Sequence, residues 1–171
     1  MPVVDAPAPA DDACQVNVFL MRHSRAVGEG PKLADEQRFL SGEGRRIARD
    51  VGKKLRAEGV ELDAALTSPL VRAVQTAELF AQGIGYEGGI EAYFGLAPGV
   101  PPRVVAEEVT AHGVAVLVVG HEPGISALGA HLVGRPSFPP FRPGQVTLIE
   151  DGVARWSLSP DRLEIEPILV A

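Results

Sequence analysis

The sequence predicts an α/β protein, a three-layer α/β/α sandwich around a mainly parallel central sheet. Short uncharged runs of strand length, Val16–Met21, Ala64–Thr67 and Val114–Val119, recur along the chain. Helical stretches separate them, and strands alternating with helices build parallel sheets covered on both faces. The run Val114-Ala115-Val116-Leu117-Val118-Val119 is apolar without alternation, as expected of a central strand buried on both sides.

The 171 residues fit one domain, and a hydrophobic share of 46% is enough for a full core. Sixteen Lys and Arg against 22 Asp and Glu give a net charge of −6. That balance argues against a general nucleic-acid or anionic-membrane surface, so any basic site must be local. The single cysteine, Cys14, permits no internal disulfide and no multi-cysteine metal site, and reads as an incidental thiol. No apolar run approaches the ~20 residues of a membrane span. The N-terminus lacks a basic stretch followed by an apolar one, so no signal peptide and a cytoplasmic location are expected. Residues 1–13 hold three prolines, three aspartates and no periodicity. They predict a disordered tail, and residues 14–171 a single domain.

In chain order, the strand Val16–Met21 ends abruptly in Arg22-His23-Ser24. Arg25 to Leu40, with Gly28, Gly30 and Pro31, reads as a loop. Ser41 can cap the next helix, with Glu43 in its first turn. In that helix Ile47, Val51 and Leu55 recur every four residues, and Gly59 ends it. Its basic residues are most simply a solvated face. After the strand Ala64–Thr67, Ser68-Pro69 predicts a helix with a serine N-cap and proline at its first position. Leu70, Val74 and Ala77 form its apolar face, and residues 83–89 break it. Ile90–Leu96 is a candidate third strand. Arg103–His112 predicts a helix, with His112 placed to stabilise its C-terminal dipole rather than to bind a ligand. A further helix runs from Gly124 to about Val133, with His131 in a packing or surface role. Val146–Glu150 and Ala154–Leu158 flank Asp151-Gly152, a strong hairpin signal. Alternation places Trp156 in the core.

Three strand ends collect polar residues: Arg22-His23-Ser24, then Thr67-Ser68-Pro69 leading to Arg72, then Gly120-His121. Taken alone, Arg22-His23 equally fits a strand emerging into solvent. In an open α/β sheet, however, ligands bind beyond the carboxyl ends of the strands. If these strands are parallel neighbours, Arg22, His23, Arg72 and His121 share one pocket, a local cation site suited to a dianion. The planar fork of arginine matches phosphate oxygens. No P-loop pattern indicates a nucleotide, no cofactor is implied, and no Cys/His/Asp cluster has metal-ligand spacing. Metal-free phosphoryl transfer needs a nucleophile and fixed positive charge, and neutral imidazole is a good nucleophile. His23, flanked by Arg22, is the better nucleophile candidate, with His121 as its electrostatic partner.

These residues resemble the histidine phosphatase superfamily, also called phosphoglycerate mutase-like. Its signature segments match Leu20-Met21-Arg22-His23-Ser24, Ser68-Pro69-Leu70-Val71-Arg72-Ala73-Val74-Gln75-Thr76-Ala77 and Val118-Val119-Gly120-His121-Glu122-Pro123, in order and spacing, over roughly Val16 to Leu158. The resemblance implies that His23 becomes phosphorylated and that Arg22, Arg72 and His121 complete the phosphate pocket. Short length, the stretch Asp35-Glu36-Gln37-Arg38-Phe39-Leu40-Ser41 and Ser157-Leu158-Ser159-Pro160 make the chain most similar to the small phosphohistidine phosphatases of the SixA type. The resemblance therefore implies a phosphohistidine-bearing protein as partner, such as a histidine phosphotransfer domain. A small phosphate ester, or a phosphate-binding module without turnover, are the alternatives.

Two departures stand out. Ser24 occupies a position where glycine is usual, so the backbone there must tolerate a side chain. The carboxylic acid that many members use to protonate an alkoxide is not assigned; Glu91 and Glu122 are candidates, each with a structural reading as well. A phosphohistidine leaving group needs such an acid less than an alkoxide does.

Overall fold

Strands β1 (Asn17–Arg22), β2 (Ala64–Thr67), β3 (Ile90–Ala92), β4 (Ala115–Gly120), β5 (Val146–Glu150), β6 (Val153–Ser159) and β7 (Glu164–Pro167) form one sheet in the order β3-β2-β4-β1-β5-β6-β7. The structure is a computed structural model and describes residues 15–168. The expected tail at residues 1–13, and Cys14, lie outside the described residues. The first four strands of that order are mutually parallel, and β5, β6 and β7 continue antiparallel from β1. The sheet is therefore mixed, with its parallel half carrying the three polar strand ends.

The period-2 alternation of strand side chains sorts the core into two layers. Phe19, Met21, Leu117 and Val119 face helices α1 (Gly42–Ala57) and α2 (Val71–Ile84), packing on Ile47, Val51, Leu55, Ala77 and Phe80. Val18, Leu20, Val116 and Val118 face helices α3 (Pro102–Ala111) and α4 (Gly124–Leu132), packing on Val105, Val109, Ile125 and Leu128. Each fully buried side chain of this kind contributes about 1.5–3 kcal/mol over exposure. The two layers thus outweigh the surface ion pairs, which are worth roughly 0–1 kcal/mol each. Helices α1 and α2 meet backbone to backbone. A Cβ on Gly52 would collide with the Phe80 carbonyl, and one on Gly83 with the Arg49 carbonyl.

Ser41 caps α1 as its sequence predicts, its Oγ accepting from the Gly44 amide at 3.0 Å. Helix α2 differs. It starts at Val71 with Leu70 as N-cap, two residues later than Ser68-Pro69 predicts. Ser68 Oγ accepts the Leu70 amide at 3.3 Å, but it also bonds His121 Nε2 at 2.7 Å, so the serine serves the turn and the site instead of a cap. The third strand is shorter than Ile90–Leu96. Tyr93 closes the last ladder bond by donating to the Thr67 carbonyl, and Phe94–Leu96 then winds into a 3-10 turn. The loop from Arg25 to Leu40 contains a second such turn, Asp35–Gln37. The hairpin forms on Asp151-Gly152, with φ of 48° and 75°, the left-handed pair a two-residue turn of this hand requires. Trp156 is half-buried rather than core. It sits near the sheet edge against Phe19, with ring centroids 6.1 Å apart. Strand β7, which the sequence did not announce, pairs with β6 and presents Glu164, Glu166 and Pro167 on the outer edge, features that discourage further strand pairing.

Candidate active site

The register brings the three strand ends together. Arg22 of β1 lies opposite Gly120 of β4, and Thr67 of β2 opposite Val119. The ladder continues one residue further, His23 N donating to the Gly120 carbonyl and Ser68 N to the Val119 carbonyl, both at 2.9 Å. His23, Ser68 and His121 thus leave three adjacent strands at one carboxyl edge, and the His23 and His121 rings lie 5.0 Å apart between centroids.

The His23 tautomer follows from its partner. Nδ1 lies 2.8 Å from the Ser24 carbonyl, which can only accept, so Nδ1 carries the proton and Nε2 keeps its lone pair. Burial, and then the charges of Arg72, Arg22 and Arg38, outweigh that hydrogen bond and lower the His23 pKa to about 4. Burial, and then His23 and Arg72, lower His121 to about 3. Both rings are neutral at physiological pH, as a nucleophile requires.

The arginines are held from behind. Arg22 Nη1 donates to the Phe141 carbonyl at 2.8 Å. Arg72 is buried; its Nη1 donates to the Asp35 carbonyl at 2.7 Å and its Nη2 to Asp35 Oδ2 at 3.0 Å. Hydrogen bonds from Arg38 and Arg72 hold the Asp35 carboxyl below its usual range. Arg38 was not singled out from the sequence. It donates to Asp35 Oδ1 at 3.0 Å and to the Val27 carbonyl at 2.7 Å, and its charge reaches His23. Its sequence signals were the i,i+3 spacing from Asp35 and its place within the stretch Asp35–Ser41. Among the described residues, six buried side-chain polar atoms have no hydrogen-bond partner, and four belong to this cluster: Arg22 Nε, Ser24 Oγ, Arg72 Nε and His121 Nδ1. Unpaired buried polar atoms cost about 1–3 kcal/mol each. Three of them, Arg22 Nε, Arg72 Nε and His121 Nδ1, belong to groups suited to a tetrahedral oxyanion, whereas Ser24 Oγ lies beside Gly144.

The segment Arg72–Ala77 does more than supply an arginine. Thr76 Oγ1 accepts the Ser24 amide at 3.0 Å and donates to the Arg72 carbonyl at 2.7 Å, fixing the turn after His23. Gln75 Oε1 accepts the Leu40 amide at 2.8 Å, anchoring the loop that carries Asp35. Ala73 and Ala77 are fully buried, where larger side chains would push α2 off the sheet. Ser24 acts through its main chain, and its φ is not in the left-handed region, so a Cβ is tolerated there.

The two carboxylate candidates are engaged elsewhere. Glu91 lies 3.1 Å from His112 Nε2, while His112 Nδ1 bonds the Glu108 carbonyl at 2.7 Å at the end of α3. That helix-end hydrogen bond, with the nearby Glu91 and Glu108, raises the His112 pKa. Glu91, Glu108 and His112 could together hold a cation, a grouping their spacing in sequence conceals. Glu122 accepts from the Phe141 amide at 2.7 Å and from Ser126 Oγ at 2.6 Å, so both its oxygens are used. His131 is exposed on α4.

Known proteins resemble this chain in sequence and in fold. The phosphohistidine phosphatase SixA of Escherichia coli (strain K12) is 31% identical over 159 residues, covering 88% of this chain and 98% of that protein. The chain belongs to the histidine phosphatase superfamily. The superfamily's branch 1 model matches residues 18–94. The solved structure of the protein histidine phosphatase SixA complexed with tungstate superposes with a TM-score of 0.79 at 26% identity, covering 87% of this chain and all of that one. A phosphoglycerate mutase from Bacillus anthracis shares the superfamily fold, with a TM-score of 0.64 at 16% identity over 90% of this chain and 92% of its own. Among the described residues no helix is long and apolar enough to cross a membrane.

Proposed function

We propose that the protein is a metal-independent phosphatase that works through a phosphorylated His23 and acts on phosphohistidine in proteins. The observation that carries this reading is a bare Nε2 on a neutral, buried His23, set beside His121, Arg22 and Arg72 at one sheet edge. Nε2 attacks phosphorus in line as the phosphorus–nitrogen bond of the substrate breaks, and the departing imidazole takes a proton from solvent. Water then attacks phosphorus, the His23–phosphorus bond breaks, inorganic phosphate leaves and the water proton passes to solvent. Arg22, Arg72 and His121 stabilise the negative charge spread over the equatorial oxygens. Fixed guanidinium charges already supply the electrostatic work that a divalent ion would do.

Phosphohistidine is favoured over small esters on two grounds. Glu91 and Glu122 are both tied up in other hydrogen bonds, so neither is poised to protonate an alkoxide. The connection from β3 to α3 is only residues 93–101, which leaves the site without a long cover. The name of the Escherichia coli relative points the same way. Rapid-quench labelling with radiolabelled phosphoryl donors should place the label on His23, and His23→Ala should abolish it. The decisive comparison is kcat/KM for a phosphohistidine protein against sugar phosphates and phosphoglycerates. A small ester ahead by tenfold, about 1.4 kcal/mol in transition-state stabilisation, would replace this reading.

A further inference from the structure

Beside His121, on the side of α3 and α4, lies a cavity of about 240 Å³ that the phosphate chemistry does not use. Leu96, Val100, Val105, Ile125, Ala127 and Leu128 give it apolar walls. The Pro98–Pro102 turn and Glu122-Pro123 also line it. Phe94 and Val104, next to these walls in sequence, are 77% and 49% exposed, large apolar side chains left in water. His121 is at once a wall of this cavity and the neighbour of His23, so the cavity lies next to the candidate phosphate site.

We propose that this cavity is an anchor subsite for one apolar side chain of the protein substrate, adjacent to its phosphohistidine. The inference rests on the phosphatase reading and adds to it which flanking residue the enzyme selects. Size argues for a single side chain. Ligand pockets that engulf a whole small molecule are ~300–1,000 Å³, whereas 240 Å³ suits one leucine, methionine or phenylalanine. Chemistry argues for an apolar side chain over an acidic one, because a carboxylate among Leu96, Val105, Ile125 and Leu128, beside Glu122, would be desolvated without a cationic partner. Adjacency argues for an occupant on the phosphorylated molecule itself. A substrate whose phosphoryl group sits against His23 and His121 brings its neighbouring residues close to the cavity that His121 lines.

The test uses the full chain and synthetic phosphohistidine peptides in which leucine, alanine or aspartate is scanned from one to four positions on either side of the phosphohistidine. A small phosphoramidate without side chains serves as the reference. At one position or more, leucine should raise kcat/KM over alanine by roughly tenfold, the lower end of what burying one leucine yields, and aspartate should lower it. Ala127→Phe fills the cavity from the half-buried face of α4 and should erase the leucine preference while leaving turnover of the phosphoramidate unchanged. Val100→Asp, in the turn, should do the same by making the wall polar. Turnover of the phosphoramidate with no leucine preference at any position overturns the subsite and leaves the phosphatase reading intact. A preference that survives both variants also overturns it. If neither phosphoramidate nor peptide is hydrolysed, the phosphatase reading itself falls. If aryl phosphates gain from apolar leaving groups and peptides do not, the cavity serves a small ester and the protein-anchor proposal is overturned.

Discussion

Glu122 and Arg22 are joined through the main chain of Phe141: the Phe141 amide donates to Glu122 Oε1 at 2.7 Å, and the Phe141 carbonyl accepts from Arg22 Nη1 at 2.8 Å. Phe141 is itself buried and stacks on Phe138 at 5.9 Å, so the link has little play. Glu122 therefore sets the place of Arg22, an arginine of the proposed phosphate pocket. Glu122→Ala should lower kcat/KM about tenfold by loosening Arg22, and Glu122→Gln, which keeps an acceptor for the Phe141 amide, should restore most of it. An acid catalyst would behave differently. Glu122→Gln would then fail on alkyl phosphates while sparing p-nitrophenyl phosphate, whose leaving group needs no proton. Equal behaviour on both substrates is expected.

Gly144 clamps the same turn. Its amide donates to the Arg22 and His23 carbonyls at 3.1 and 3.2 Å, and its φ is +86°. A Cβ there would lie 2.9 Å from Ile47 Cγ2 and 3.3 Å from Ser24 Oγ. Gly144→Ala should cost roughly 2–3 kcal/mol of stability from left-handed strain and crowding together, read by urea unfolding, and should reduce kcat as well. Adding Ser24→Gly removes only the Oγ contact, so it should recover a minor part.

Asp35 partly neutralises Arg72, engaging both of its terminal nitrogens while remaining exposed itself. The carbonyl half of that grip survives in Asp35→Asn, whereas the opposing charge does not. Inorganic phosphate should then inhibit more strongly, with a Ki lowered roughly threefold, less at high salt. A raised Ki would mean that the carboxylate positions Arg72 more than it competes with phosphate.

Chelators should leave turnover unchanged, because the proposed mechanism assigns the charge that meets the transition state to Arg22 and Arg72. Loss of activity in EDTA that zinc, magnesium or manganese restores would contradict this.

The sequence was most informative where one residue type answers one physical need. Apolar runs gave β1 and β4, Asp151-Gly152 gave the hairpin, and His23 and His121, each following a strand, lie side by side at one sheet edge. What it hid depends on partners distant in the chain. The start of α2 moved because Ser68 bonds His121, 53 positions away. Arg38 entered the site through Asp35, and Gln75 and Thr76 acquired their roles only once Leu40 and Ser24 lay against them. Strand β7, a four-residue edge with two glutamates, has too little apolar content to signal itself.

The two site histidines fix how stability and activity respond to acid. His23 is lowered to about 4 and His121 to about 3, from an ordinary 6.5. Between those values and 6.5 the unfolded chain binds more protons than the folded one, so stability rises with pH across that window and falls as pH drops through it. Asp35, held below its ordinary value, adds a loss of the same sign at lower pH. His112 is raised, so its contribution is present below 6.5 and is lost as pH rises through its folded value. The melting temperature should therefore decline from pH 6.5 to pH 4.5, and His121→Gln should flatten that decline. Histidine C–H resonances followed by NMR should give His23 a midpoint near 4 in the free enzyme. Because His23 stays neutral well below 6.5, the acidic limb of kcat/KM should follow the substrate's own ionisation. It should shift when the substrate is changed and stay put in a variant such as Ala127→Phe. A His23 midpoint near 6.5, with an acidic limb that matches it for every substrate, would show that Arg22, Arg72 and burial do not depress this imidazole.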